Sequence, residues 1–427
     1  MSIFIIGIIL LLLALYGTPL FVIISAIALL AFHLAEIDPS AVIIELYRLS
    51  SQPVLLAIPL FTFAGYLLAE SNTPKRLVNL SRALIGWMPG GLAIVALVSC
   101  AIFTAFTGAS GVTIIALGGL LYPVMLQEKY PEKFSLGLLT ASGNLGLLFP
   151  PSLPIILYGL VAQTSIDQLF VAGVIPGILM VVLLSIYSTV YIKKLNIAGN
   201  LKKSDLKSVL SSIRAAAWEI PLPFIILGGI YGGLFTATEA AAVTAFYVFI
   251  VEVFIYKDIS LKKDLIRVVR ESMVLVGGIL VILAAALGLA NYMVDAQIPM
   301  KILATLKVYI TSKVGFLLVL NGFLLIVGAM MDIFSAIMVV VPIIIPIANS
   351  FGVDPVHLGI IFLANLGIGY STPPVGMNLF IASFRFEKPV LKLYVAAIPF
   401  LIFLLIALAI ITYVPELSLW LVRVFGV

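Results

Sequence analysis

The chain has 427 residues, 63% of them apolar and only 10% charged, with a mean hydropathy of +1.26. Soluble domains carry roughly 25% charged residues, so this chain cannot clothe a water-facing surface. A cytosolic enzyme, a secreted disulfide scaffold (Cys100 is the lone cysteine) and a nucleic-acid binder are excluded. The net charge of +5 sits in short loops, where Lys and Arg report membrane orientation rather than a polyanionic partner.

Apolar runs are continuous instead of alternating as in a membrane β-barrel, so the spans are helices of about 20 residues each. Residues 3–32, interrupted at Gly17-Thr18-Pro19, read as two short helices. The first lacks the basic start and cleavage site of a signal peptide and is read as retained. Segment 39–48 is interfacial by its helical spacing, 53–70 spans, and 75–87 is a basic interfacial helix. Segment 90–126 is uncharged with a polar tip at Thr107-Gly108-Ala109-Ser110-Gly111. Segment 134–161 is broken at Pro150-Pro151, 169–192 spans, and 193–219 reads as a basic loop. Helices follow at 220–235 and 240–256, a span at 273–294 and an amphipathic stretch at 296–312. Segment 314–348 is apolar around one acid, Asp332; 358–384 is broken at Ser371-Thr372-Pro373-Pro374, and 394–413 closes the chain.

The order repeats. Asn144-Leu145-Gly146 before the first Pro-Pro is matched by Asn365-Leu366-Gly367 before the second, an offset of 221 to 223 residues, close to half the chain. This is a duplication. With the long segments taken as re-entrant hairpins, loops 193–214 and 257–270 go inside, and tracing outwards puts 19 of the 24 Lys and Arg in the cytoplasm. Arg48, Lys301, Lys307, Lys313 and Arg423 fall outside, as do both termini. The two halves then have opposite orientation. The expected fold is an all-α polytopic membrane protein of inverted repeats, with two re-entrant hairpins and two broken transmembrane helices. Its parts are scaffold at 1–89 and 220–313, transport segments at 90–192 and 314–427, and a cytoplasmic loop at 193–219.

Breaking a helix in mid-membrane frees N–H groups at one end and C=O groups at the other, which suit an anion and a cation respectively. Two tips and two breaks are therefore expected to meet: 107–111, 144–151, 328–335 and 365–374. Thr107, Ser110, Asn144, Ser335, Asn365, Ser371 and Thr372 offer neutral oxygens of the kind hard cations prefer. Asp332 adds the one formal charge in 314–353 and is a functional candidate by its place in the membrane. Thr107, Ser110, Asn144, Asn365 and Thr372 are candidate substrate contacts. Glu239 reads as a helix cap, His33 and His357 as interfacial, Cys100 as packing, and Trp87, Trp218 and Trp420 as interface anchors. With no P-loop and no protease motif, the coupling is to an ion gradient.

The stretches FTGASGVTIIALGGLLYPVML, ASGNLGLLFPPSLPIILYG, GAMMDIFSAIMVVVPIIIPIA and NLGIGYSTPPVGMNLF, in that order, resemble the large membrane subunit (DctM-like permease) of tripartite ATP-independent periplasmic (TRAP) transporters. The resemblance covers essentially the whole chain. It implies sodium-driven import of an organic acid, such as a C4-dicarboxylate, another carboxylate or sialic acid, across the bacterial inner membrane by an elevator movement. A periplasmic binding protein would deliver the substrate. A small four-helix membrane subunit would accompany this chain as a separate polypeptide, since the sequence starts directly with its first helix. It further implies one sodium site among Ser110, Gly111, Asn144, Gly146 and Pro150, and another among Asp332, Ser335, Gly367, Ser371 and Thr372. The chain carries GNLG before its first Pro-Pro, where some members of that family carry a hydroxyl-rich stretch. A stand-alone sodium–dicarboxylate symporter of the same architecture is the competing reading. An uncoupled channel or scaffold protein is a further one.

Overall fold

The computed structural model describes residues 9–10, 12–13, 17–38, 40, 43–44, 47, 51–88, 90–195 and 206–426. The first short helix of the sequence reading and the interfacial segment 39–48 lie outside them, apart from isolated positions. In chain order the helices are α1 (Leu20–Leu34), α2 (Ala57–Glu70), α3 (Thr73–Ile85), α4 (Gly91–Thr107), α5 (Ser110–Gln127), α6 (Glu132–Ser142), α7 (Leu153–Ala162) and α8 (Ile166–Lys194). Then come α9 (Leu206–Ala215), α10 (Pro221–Tyr231), α11 (Ala237–Ile255), α12 (Asp264–Asp295), α13 (Ile298–Tyr309) and α14 (Lys313–Met330). The series ends with α15 (Ile333–Ser350), α16 (Pro355–Gly369), α17 (Met377–Phe386), α18 (Val390–Tyr413) and α19 (Glu416–Phe425). Among the described residues there is no strand, and eight helices are long and apolar enough to cross a membrane. A ninth candidate is the α6–α7 pair, bent by 47° at Pro150-Pro151.

The duplication is visible in the packing. Helices α1 to α8 recur in order as α11 to α18, and they pair crosswise: α1 packs on α12 as α2 packs on α11. Likewise α7 lies against α15 as α17 lies against α5, and α6 against α18 as α16 against α8. Such exchanged partners are what two copies related by a pseudo-twofold axis produce. Phe134, Tyr191 and Phe400 knit α6, α8 and α18 together, with ring centroids 5.0 and 5.5 Å apart.

Ion pairs tie together the loops that charge placed on one side. Arg76 on α3 binds Glu219, Glu252 (3.1 Å) and Asp258 (2.6 Å), and its guanidinium lies 3.8 Å from the centre of the Tyr256 ring. Arg82 meets Glu128, and Glu132 holds Lys388 at 2.8 Å and Lys392 at 2.6 Å. The Lys313 ammonium, at the start of α14, donates to the Gly352 carbonyl just past α15 at 2.7 Å. Both helix pairs α4–α5 and α14–α15 thus begin and end on the same side of the protein.

Two expectations need correction. Segment 193–219 is not simply a loop, because it contains α9, whose Val209, Leu210 and Ile213 recur at helical spacing. The chain closes with amphipathic α19, not with α18. His357, in the first turn of α16, is buried, with its ring nitrogens 3.2 Å from Ser418 Oγ and 3.2 Å from the Thr412 carbonyl. Glu239 is the expected cap, completing a capping box with Thr236.

Candidate functional site

The first tip turns at Gly108, whose φ of +65° is a left-handed conformation that glycine adopts freely. Nine residues of continuous helix would separate Thr104 from Thr113 by about 13 Å along the axis. Their hydroxyls are 2.6 Å apart, so α4 and α5 fold back on each other. Thr104 also donates to the Gly143 carbonyl at 3.1 Å, fastening the tip to the start of the first break. At the second tip the chain is extended at Met331 and Asp332. There the Asp332 carboxylate caps α15, accepting from the Ser335 N–H at 2.9 Å and from the Ser335 hydroxyl.

Tips and breaks meet in the interior. Ser110 donates to Asn378 Oδ1 (2.8 Å), Asn378 donates to Asn144 Oδ1 (2.6 Å), and Asn144 donates to Ser371 Oγ (2.9 Å). All four side chains are buried. On the second half the Ile333 N–H donates to the Tyr370 hydroxyl, and the Gly376 N–H donates to the Ala329 carbonyl at 2.9 Å, so the second break clasps its own tip. Thr372 donates back to the Ile368 carbonyl at 2.9 Å and Thr107 to the Phe103 carbonyl at 3.1 Å, each a hydroxyl returning to its own helix.

Several candidates sit elsewhere than the sequence reading placed them. The Asn-Leu-Gly match runs at an offset of 221, the Pro-Pro pairs at 223, and the structure follows the prolines. Gly146 packs on Ala101 and Thr104 of α4, and Gly369 packs on Gly328 of α14, as equivalents. Two residues along a helix turn a side chain by about 200°. Asn365 therefore points away from the tips and donates to Asn321 Oδ1 (2.7 Å) and the Ile361 carbonyl (2.8 Å). The counterpart of Asn144 is Gly367, where a Cβ would stand 3.6 Å from the Asn144 Cβ, at ordinary contact distance. Pro150 borders an apolar cavity of about 280 Å³ between α4, α8 and α10. Gly111 faces Ile381 of α17.

Asn378, Tyr370, Thr104 and Thr113 were missed by the sequence reading. Asn378 carried a usable signal, being the one amide on α17 and directly after a break. The two threonines carried none, because only the fold-back at Gly108 joins them. Among the described residues no group of three or more His, Cys, Asp or Glu could hold a metal ion, so any ion here would be held by hydroxyl, amide and carbonyl oxygens with Asp332.

A duplicated multi-pass membrane protein with interrupted helices around a neutral polar centre has the build of a secondary transporter. Residues 4–417 match the family model described as tripartite ATP-independent periplasmic transporter, DctM component. The chain belongs to that family. It is 38% identical to the C4-dicarboxylate TRAP transporter large permease protein DctM of Pseudomonas aeruginosa, over 88% of each chain. It is 36% identical to the isethionate TRAP transporter permease protein DctMQ of Oleidesulfovibrio alaskensis, over 86% of this chain and 58% of that one. Identity to the ectoine/5-hydroxyectoine TRAP transporter large permease protein UehC of Ruegeria pomeroyi is 32%, over 86% and 85%. The fold is also that of the Alcanivorax borkumensis YdaH transporter, with a TM-score of 0.64 at 14% identity, covering 91% of this chain and 88% of that one.

Proposed function

We propose that this chain is the large permease component of a sodium-coupled importer in the bacterial inner membrane. It takes a small organic acid or similar polar solute from a periplasmic binding protein and works beside a separate small membrane subunit. The names of its relatives, which include C4-dicarboxylate, isethionate and ectoine transporters, bound the class of solute. The observation that carries the reading is the buried chain Ser110–Asn378–Asn144–Ser371, which draws the first tip and both breaks to one neutral centre.

Charge supports the coupling ion. Residues 83–128, 134–192 and 314–384 contain no Lys or Arg, and Asp332 is an acid at the second tip. An anionic solute beside a carboxylate in low dielectric needs a cation close by. In this reading one sodium ion is held where Ser110 and Gly111 face the first break at Asn144, and another where Asp332 and Ser335 face 367–372. In this reading the helix pairs α4–α5 and α14–α15 are re-entrant, which the burial of Thr107 and Ser110 at the first tip supports for α4–α5. The halves are inverted and both termini are periplasmic.

Segments 90–192 and 314–427 then form a moving body that slides as an elevator against scaffold segments 1–89 and 220–313. A cavity of about 260 Å³ lined by Gln163, Pro346 and Asn291 lies on that boundary. Reconstituted uptake with the binding protein and small subunit present tests the function. Uptake that follows the sodium gradient is expected, sodium-independent uptake would refute the coupling, and uptake by this chain alone would favour a stand-alone symporter. Cysteines at Gln163 and Asn291 test the movement: their crosslinking should stop transport reversibly, and full transport in the linked protein would refute sliding at that boundary.

A further inference from the structure

Asn378 touches both breaks and the first tip at once. It is the second residue of α17, past the second break, and is 0% exposed. Its side-chain oxygen accepts from Ser110 of the first tip, and its side-chain nitrogen donates to Asn144 at the first break. Its backbone N–H donates to the Tyr370 carbonyl at 3.0 Å, and the Tyr370 hydroxyl in turn accepts from Ile333 at the second tip. Asn144 closes the circuit by donating to Ser371 of the second break.

An amide has one accepting and one donating end, so these contacts have a direction. Ser110 holds Asn378 by its oxygen, which leaves only the nitrogen for Asn144. That fixes the Asn144 oxygen and turns its nitrogen toward Ser371. If Ser110 or Asn144 swings to meet an ion, the amide of Asn378 must rotate with it or leave a buried polar atom unpaired, which is costly. Such a rotation is transmitted to the second break through Asn144 and Ser371.

We infer that Asn378 is a positioning residue that couples the two cation half-sites, so that occupancy of one arranges the ligands of the other. The inference rests on the sodium-driven reading above. A merely structural buried asparagine would affect the amount of folded protein and the maximal rate, whereas a coupling residue sets the steepness of the sodium dependence.

The test measures uptake against sodium concentration by the complete transporter in liposomes, for wild type, Asn378→Ala and the milder Asn378→Ser. The wild-type curve is expected to be cooperative. In the variants the Hill coefficient should fall toward 1 and half-saturating sodium should rise about fivefold or more, the lower range of measured coupling between sites. If Asn378→Ala does not fold, Asn378→Ser decides, since its short hydroxyl cannot bridge Ser110 and Asn144 together. A Hill coefficient unchanged in the variants, or a wild-type curve already without cooperativity, overturns the coupling alone. Wild-type uptake indifferent to sodium overturns the transport reading, and the coupling with it.

Discussion

Gly369 lies so close to Gly328 that a Cβ added to Gly369 would stand 2.6 Å from the Gly328 Cα. The obstacle is backbone, which cannot rotate away, so Gly369→Ala must push α14 off α16. Overpacking of this kind costs about 1–3 kcal/mol. A lower melting temperature in detergent is expected for Gly369→Ala, and also for Gly146→Ala, whose Cβ would meet the Ala101 carbonyl at 2.2 Å. Equal melting curves would mean that the helices are less tightly apposed.

The two possible roles of Asp332 can be separated. As the cap of α15 it is replaceable by Asn, which caps equally well, whereas Ala loses about 1 kcal/mol. As a source of charge it is not replaceable by Asn. Asp332→Asn should therefore keep the wild-type melting temperature and weaken sodium-dependent uptake. Unaltered sodium dependence in that variant would leave Asp332 a cap and nothing more.

Replacing Pro150 and Pro151 together by alanine restores two backbone N–H donors and removes the rings that bar a continuous ladder. The bend of 47° between α6 and α7 should relax, and Phe149 and Ser152 should be drawn toward helix. Loss of uptake with normal amounts of protein in the membrane is expected. Full uptake would show that the first break has no part in transport.

Arg76 is ion-paired with Glu219, Glu252 and Asp258, and the first two carboxylates are 2% and 0% exposed. Arg76→Ala leaves them buried without a counter-charge, a change that typically costs 3–5 kcal/mol, so about 3 kcal/mol or more is expected here. Thermal melting or membrane yield would register it. Wild-type stability would mean that water or another cation reaches the cluster.

Acidification probes the same cluster. Burial raises the Asp258 carboxyl, but Asn72 and Arg76 outweigh it and hold the group below its ordinary value of 3.8. A depressed carboxylate stabilises the fold fully above the unfolded value and stops doing so as pH falls through the folded one. The melting-temperature gap between wild type and Asp258→Asn should stay constant from neutral pH down to about 4 and close only below that. A gap that closes between pH 7 and 5 would contradict the assignment.

Most of the helical inventory was legible because membrane spans advertise themselves: long uncharged runs have no other stable structure in hydrocarbon. Helices α9 and α19 were not, since short amphipathic segments rich in charge lack that signal. The residues 107–111, 144–151 and 365–374 were found from polar and Pro-Pro interruptions of apolar runs. The placement of Asn365 failed for a geometric reason. A sequence match two residues out of phase with the prolines looks equally good on paper, yet on a helix it faces the opposite side, toward Asn321.

From composition and order alone the chain is an all-helical, multi-pass, duplicated membrane protein with two interrupted helices, because those properties depend on hydropathy, charge and spacing read locally. Which polar side chains meet depends on contacts between residues 227 to 268 positions apart, such as Asn144 with Ser371 and Ser110 with Asn378. No local pattern encodes such contacts. They arise from two folded copies packing crosswise, and only that packing selects Asn378 and sets Asn365 aside.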